Sequence, residues 1–125
     1  MNYLKWLKMH GRALVIRGPE GCGKTLLAKQ LTENNYLIIS EKELTIYFNG
    51  YLKAENLIID SIDPTPTTMN TIERMVKNDR MMLNQRGKEG VIVPTPFIIV
   101  CVDSRYDYFF PNRRRFEVID LGVAK

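Results

Sequence analysis

Cysteine is scarce in this chain: only Cys22 and Cys101 occur in 125 residues. Two thiols so far apart make neither a disulfide framework nor a metal knuckle, and reduced cysteines in a cytoplasmic protein are the expectation. Long apolar runs are also missing. None approaches the roughly 20 residues of a membrane span, so no membrane partner is expected. The first twelve residues interleave Lys5, Lys8, His10 and Arg12 with Leu4, Trp6 and Leu7. They lack the continuous apolar centre of a signal peptide. Internal repeats, low-complexity tracts and linkers are absent, and residues 1–125 read as a single domain. Strong charge is lacking too. A net charge of +4 and a pI near 9.1 permit a polyanionic partner without demonstrating one. The 45% apolar content suffices for a core.

Against these absences stands one dense stretch, Gly18-Pro19-Glu20-Gly21-Cys22-Gly23-Lys24-Thr25. It satisfies G-x-x-x-x-G-K-[ST] at every fixed position. Apolar Ala13-Leu14-Val15-Ile16 precedes it and reads as a buried strand; Leu26-Leu27-Ala28-Lys29-Gln30-Leu31 follows and reads as a helix. Strand, glycine-rich loop and helix are the context that makes this pattern a phosphate-binding loop rather than a turn. Gly18, Gly21 and Gly23 let the backbone aim successive N–H groups into one concavity. The helix adds its positive end there. Lys24 supplies a cation for the β- and γ-phosphates, and the Thr25 hydroxyl is a ligand for Mg²⁺. The loop from Gly18 to Leu26 is therefore the expected nucleotide site, for ATP with Mg²⁺.

The rest of the chain alternates between the two periods. Residues 2–9 read as a short amphipathic helix with Leu4, Leu7 and, as a third candidate, Trp6 inward, ended by Gly11. A strand over 13–17 and the loop helix to about Thr32 follow, closed by Asn34-Asn35. Tyr36–Ile39 is a second strand, and Ser40 with Glu43 reads as a capping box for a helix over 41–52. Asn56–Asp60 is a third strand. Met69, Ile72, Met75, Val76, Met82 and Leu83 predict one long helix over 67–85. Residues 86–95 read as a turn or hairpin, Phe97–Val102 as a fourth strand, 104–112 as an aromatic loop, and Phe116–Leu121 as a fifth strand at an edge. Such alternation implies an α/β fold with a mainly parallel sheet covered on both faces. Ligands then bind beyond the carboxyl ends of the strands, where the phosphate loop, Asp60 and Asp103 all fall. Asp60 reads as a carboxylate for Mg²⁺, acting through water or Thr25; the plain alternative is a solvated strand-end aspartate.

Asp60-Ser61-Ile62-Asp63 resembles the Asp-Glu-Ile-Asp Walker B segment of the AAA+ ATPases. Asp103 falls where that group carries its sensor-1 polar residue. Asn112-Arg113-Arg114-Arg115-Phe116 resembles the Arg-Arg-Phe segment of superfamily 3 helicases and of virulence-associated-E-like phage and plasmid helicases. Arg86-Gly87-Lys88-Glu89-Gly90 resembles the hairpin that contacts DNA in superfamily 3 helicases. The likeness covers residues 13–121 with its motifs in order. It implies a three-layer P-loop NTPase with strand order 5-1-4-3-2, an ATPase linked to nucleic-acid processing, and Lys24, Asp60, Asp103 and Arg115 in catalysis. It also implies that Arg115, with Arg114 second, acts in trans within a homo-oligomer, and that Arg86 and Lys88 touch nucleic acid, weakly. Two departures stand out. Ser61 replaces the acid that polarises the attacking water, and a serine hydroxyl is a poor base at neutral pH, so slow hydrolysis is expected. Glu20 is a substitute whose charge also repels phosphate. The chain ends soon after the fifth strand, without the C-terminal lid and without an origin-binding or primase domain, which leaves base contacts to His10–Arg12. The alternatives are a non-hydrolysing nucleotide-binding module and a small nucleotide kinase.

Overall fold

The computed structural model describes residues 3–19, 21–40, 56–62, 66–78, 80–83, 91–103 and 114–121. The expected helix over 41–52, the aromatic loop 104–112, and Glu20, Arg86, Lys88 and Arg113 lie outside them.

Apolar residues that recur at period 2 build the centre of the molecule. β1 (Ala13–Gly18), β2 (Leu37–Ser40), β3 (Asn56–Ile62), β6 (Phe97–Asp103) and β7 (Phe116–Asp120) form a five-stranded sheet of order β2-β3-β6-β1-β7. Every pairing in it is parallel. In the count of its own strands this is order 5-1-4-3-2, as the resemblance implied. β1, β3 and β6 are buried on both faces, which is why they read as near-continuous apolar runs. Ala13, Val15, Leu57, Ile59, Ile98 and Val100 point to one face and meet Met69 and Ile72 of α3 (Pro66–Lys77). Leu14, Ile16, Ile58, Ile99 and Cys101 point to the other. There they meet Leu4 and Leu7 of α1 (Tyr3–Met9) and Ala28 of α2 (Lys24–Leu31). Helices on both faces give the three layers.

The element ends follow local chemistry. Gly11 (φ 65°) closes α1, with Gly11 N donating to Lys8 O and Arg12 N to Leu7 O. That is the paired Schellman pattern. α2 ends the same way on residues with side chains. Glu33 (φ 53°) donates to Gln30 O and Asn34 (φ 65°) to Lys29 O.

One expectation is corrected. The helix over 67–85 stops at Lys77, and Arg80–Leu83 forms β4, antiparallel to β5 (Val91–Pro94). Asn78 is the reason. Its backbone N–H bonds to Met75 O in a tighter turn, and its side-chain amide caps Arg74 O at 2.6 Å. An asparagine that takes helix carbonyls for itself competes with further helix. Met82 and Leu83 kept the helical spacing by coincidence. Of the turn or hairpin expected over 86–95, Val91–Pro94 is a strand, and its partner is drawn from residues assigned to the helix; residues 84–90 lie outside the described residues. A smaller shift concerns Ser40, which lies in the β2 ladder opposite Asp60.

Candidate functional site

β1 delivers the chain to the site at Gly18. Gly21 (φ 81°) and Gly23 (φ 93°) then turn it in the left-handed region, where a side chain is strained. Cys22 N donates to Pro19 O at 3.2 Å and tightens the turn. Gly23 is the N-cap of α2 and brings no side-chain cap of its own. The first N–H groups of that helix thus face the loop rather than a capping oxygen, the arrangement that receives an anion. Lys24 curls back over the loop, its Nζ donating to Gly18 O at 2.8 Å and to Pro19 O at 2.9 Å. A cation is thereby held at the rim of the concavity.

Thr25 and Asp60, 35 residues apart in sequence, meet. The Thr25 hydroxyl donates to Asp60 Oδ1 at 3.1 Å. Alternation explains how the strand presents that carboxylate: Asp60 shares the face of Ile58, which packs with Ala28 of α2. Ile59 pairs with Val100 but Ile62 pairs with Val102, so β3 carries one extra residue around Asp60-Ser61. Such a bulge bends the strand and re-aims its side chains beside functional sites. Asp103 ends β6 directly opposite Gly18. The loop, Thr25, Asp60 and Asp103 therefore share one edge of the sheet.

Cys101 belongs to the same neighbourhood, and sequence reasoning had treated it as an ordinary thiol. Burial pushes the Cys101 thiol up to about 12, and the nearby Asp60 carboxylate adds to the rise. The Lys24 ammonium and the Thr25 hydroxyl act against it. The signal was present in the alternation of β6: Cys101 shares the face of Ile99, which α2 covers.

Arg115 is placed elsewhere. Its guanidinium donates to Gly11 O at 3.3 Å, and its carbonyl accepts from Ala13 N at 2.7 Å. Phe116 pairs with Ala13, the first residue of β1. Arg115 thus sits where β1 and β7 begin, five residues of strand or roughly 16 Å from its own phosphate loop. The structure does not bring it together with Lys24 and Asp60 of the same chain. No helix among the described residues is long and apolar enough to cross a membrane.

A phosphate loop on β1, a carboxylate on the next-but-one strand and the order β2-β3-β6-β1-β7 define a P-loop domain of helicase-like, nucleotide-binding type. The chain belongs to the RNA helicase family, whose profile matches residues 14–102. No curated protein sequence matches it significantly. Among solved structures it is similar to the apo C-terminal region of NrS-1, with TM-score 0.70 and 21% identity over 96% of this chain and 33% of that one. It is also similar to JCV helicase, with TM-score 0.59 and 15% identity over 94% of this chain and 39% of that one. At those identities the likeness is one of fold. The chain spans about a third of the length of the solved chains it matches.

Proposed function

We propose that this domain binds ATP with Mg²⁺ and hydrolyses it slowly, in support of work on a nucleic-acid strand. The observation that carries the reading is the Thr25–Asp60 contact beside Lys24. Two hard oxygen donors lie in contact at the point where the β- and γ-phosphates of a nucleotide on this loop would end. Mg²⁺ suits such a sparse site, because it keeps several waters and needs only one or two protein oxygens besides phosphate. Among the described residues there is no cluster of three or more acidic, cysteine or histidine ligands, the kind a protein-caged metal requires. In this reading Thr25 and Asp60 hold the ion, which neutralises phosphate charge when bound. Asp103 lies beside Gly18 to sense the γ-phosphate side of the loop. Arg115, with Arg114 behind it, serves a neighbouring subunit. Arg86 and Lys88 contact nucleic-acid backbone.

The test is Lys24→Ala. Among the described residues the Lys24 ammonium bonds to two loop carbonyls, so the variant should fold. Binding of ATP and Mg²⁺ should weaken by ~2–4 kcal/mol, the scale for losing one partner of a desolvated charge pair. Titration calorimetry showing equal affinity for both proteins would remove the site assignment.

A further inference from the structure

Two arginines meet at the turn between α1 and β1, and they are held in opposite ways. Arg12 is anchored. Its Nη1 lies 3.2 Å from Glu117 Oε2, and its Nη2 donates to Phe116 O at 3.4 Å. Arg115 is held lightly. Among the described residues its guanidinium makes one hydrogen bond, from Nη1 to Gly11 O at 3.3 Å. A carbonyl is a neutral acceptor, and bonds to charged acceptors are roughly twice as strong. The contact therefore orients the guanidinium without outbidding an anion for it. The other N–H donors of the fork are left for a second acceptor.

Both sides of this contact are fixed. Gly11 N donates to Lys8 O and Arg12 N to Leu7 O, so the Gly11 carbonyl is part of a closed turn. The Arg115 carbonyl accepts from Ala13 N at 2.7 Å, and buried Phe116 pairs with Ala13 in the sheet. Residue 11 must also lack a side chain. A Cβ there would lie 2.8 Å from Arg115 Nη1. The backbone conformation alone does not demand glycine, because Asn34 closes α2 at the same φ of 65° that Gly11 has. The space taken by the guanidinium does. Glu117, two residues on from Arg115, is the rival acceptor of this turn. A carboxylate binds a guanidinium through two charge-assisted bonds and would hold it. Arg12 already occupies that carboxylate.

We propose that Gly11 and Arg12 are positioning residues for Arg115. The bare carbonyl of Gly11 sets the direction of its guanidinium, and Arg12 keeps Glu117 from capturing it. Arg115 is thus preset for an anionic oxygen, the γ-phosphate on a neighbouring subunit. This rests on the reading of Arg115 as a residue that serves that neighbour.

The experiment mixes two kinds of whole-chain subunit. Loop subunits carry Arg115→Ala and keep the phosphate loop. Arginine subunits carry Lys24→Ala and keep Arg115. ATP turnover of the mixture, at fixed ratio and concentration, is the reference. Adding Gly11→Asn or Gly11→Ala to the arginine subunits should lower it about 3–10-fold, the range for one lost hydrogen bond. Adding Arg12→Ala to them should lower it by up to about 5-fold, the upper range for an exposed ion pair. Glu117→Gln in that same subunit should restore it. Placed instead in the loop subunits, which have no Arg115, these changes should leave turnover unmoved. Equal losses from either placement would mean that the turn acts through the fold, and would overturn the proposal. So would a Gly11→Asn arginine subunit as good as its parent, or an Arg12→Ala loss that Glu117→Gln does not repair. If Gly11→Ala does not fold, Gly11→Asn decides, since asparagine tolerates the left-handed region. No recovery in the reference mixture, with the subunits assembled, removes the trans reading and the proposal together. Recovery indifferent to every change in the arginine subunits removes the proposal alone.

Discussion

Cys22 and Cys101 sit within one site and meet different solvent. Cys22 lies on the phosphate loop and is partly exposed, whereas Cys101 is fully buried under α2. The Cys101 thiol, raised from 9.0 to about 12, keeps its proton below the ordinary cysteine range and through it. At pH 9 Cys101 then stays almost wholly protonated, and the thiolate is the form that reacts. Iodoacetamide should therefore modify Cys22 and spare Cys101, at pH 7 and still at pH 9. Bound ATP should slow the reaction at Cys22 by covering the loop. Peptide mass spectrometry reads both, and early labelling of Cys101 would show that β6 is not sealed as described. Ser61 poses the other question at this scale. It lies on the β3 bulge next to Asp60, at the position where the resembling ATPases carry an acid. Ser61→Glu should raise steady-state phosphate release with little change in nucleotide affinity. A well-placed base is worth ~10²–10⁴-fold, and one introduced without its supporting contacts less. Ordinary ATPase turnover in the wild type would show that another residue already supplies the base.

At the scale of elements, the end of α2 carries local strain. Glu33 takes the left-handed position that glycine usually fills, at φ 53°, and it is exposed. A side chain there costs roughly 1–2 kcal/mol, which the greater freedom of glycine in the unfolded chain offsets in part. Glu33→Gly should stabilise the domain by about 0.5–1 kcal/mol and raise Tm by a few degrees, measured by calorimetry or circular dichroism. A lower Tm would mean that the Glu33 side chain makes a contact worth more than the strain. How legible each element was depended on how many signals agreed. The unit β1–loop–α2 could be read because an apolar strand, three glycines and a run of helix formers all specify one local structure. α3 was read seven or eight residues too long because Met82 and Leu83 keep the helical spacing by chance, while Asn78 stops the helix through hydrogen bonds that spacing does not reveal. The Thr25–Asp60 pairing was legible as two strand-end and loop residues on one edge. The bulge beside Asp60 was not, because a one-residue slip between β3 and β6 leaves no mark on the alternation of either strand.

At the scale of the whole molecule, the sheet separates two groups that a P-loop helicase mechanism would need to combine. Lys24 lies where β1 ends, and Arg115 lies where β1 and β7 begin, bonded to Gly11 O. A parallel sheet fixes that separation, because every strand runs the same way and β7 cannot slide along β1 without turning its alternating side chains to the wrong face. Arg115 therefore has no path to its own γ-phosphate, and any phosphate it serves is on another subunit. An arginine supplied in this way stabilises transition-state charge and is worth ~10³–10⁵ in turnover where it operates. Arg115→Ala subunits keep an intact phosphate loop, and Lys24→Ala subunits keep an intact arginine. Each alone should be nearly inactive. Mixed at rising total concentration, they should regain turnover, because some interfaces then pair a working loop with a working arginine. The loss of the Arg115–Gly11 bond is controlled for by comparing Tm and ATP affinity of Arg115→Ala with wild type; both should be nearly unchanged. Recovery should peak at intermediate ratios and vanish at either extreme, a profile that simple averaging of two poor enzymes cannot produce. Full activity of Arg115→Ala at every protein concentration, or a mixture no better than the sum of its parts while the subunits demonstrably assemble, would confine Arg115 to holding Gly11 at the start of β1.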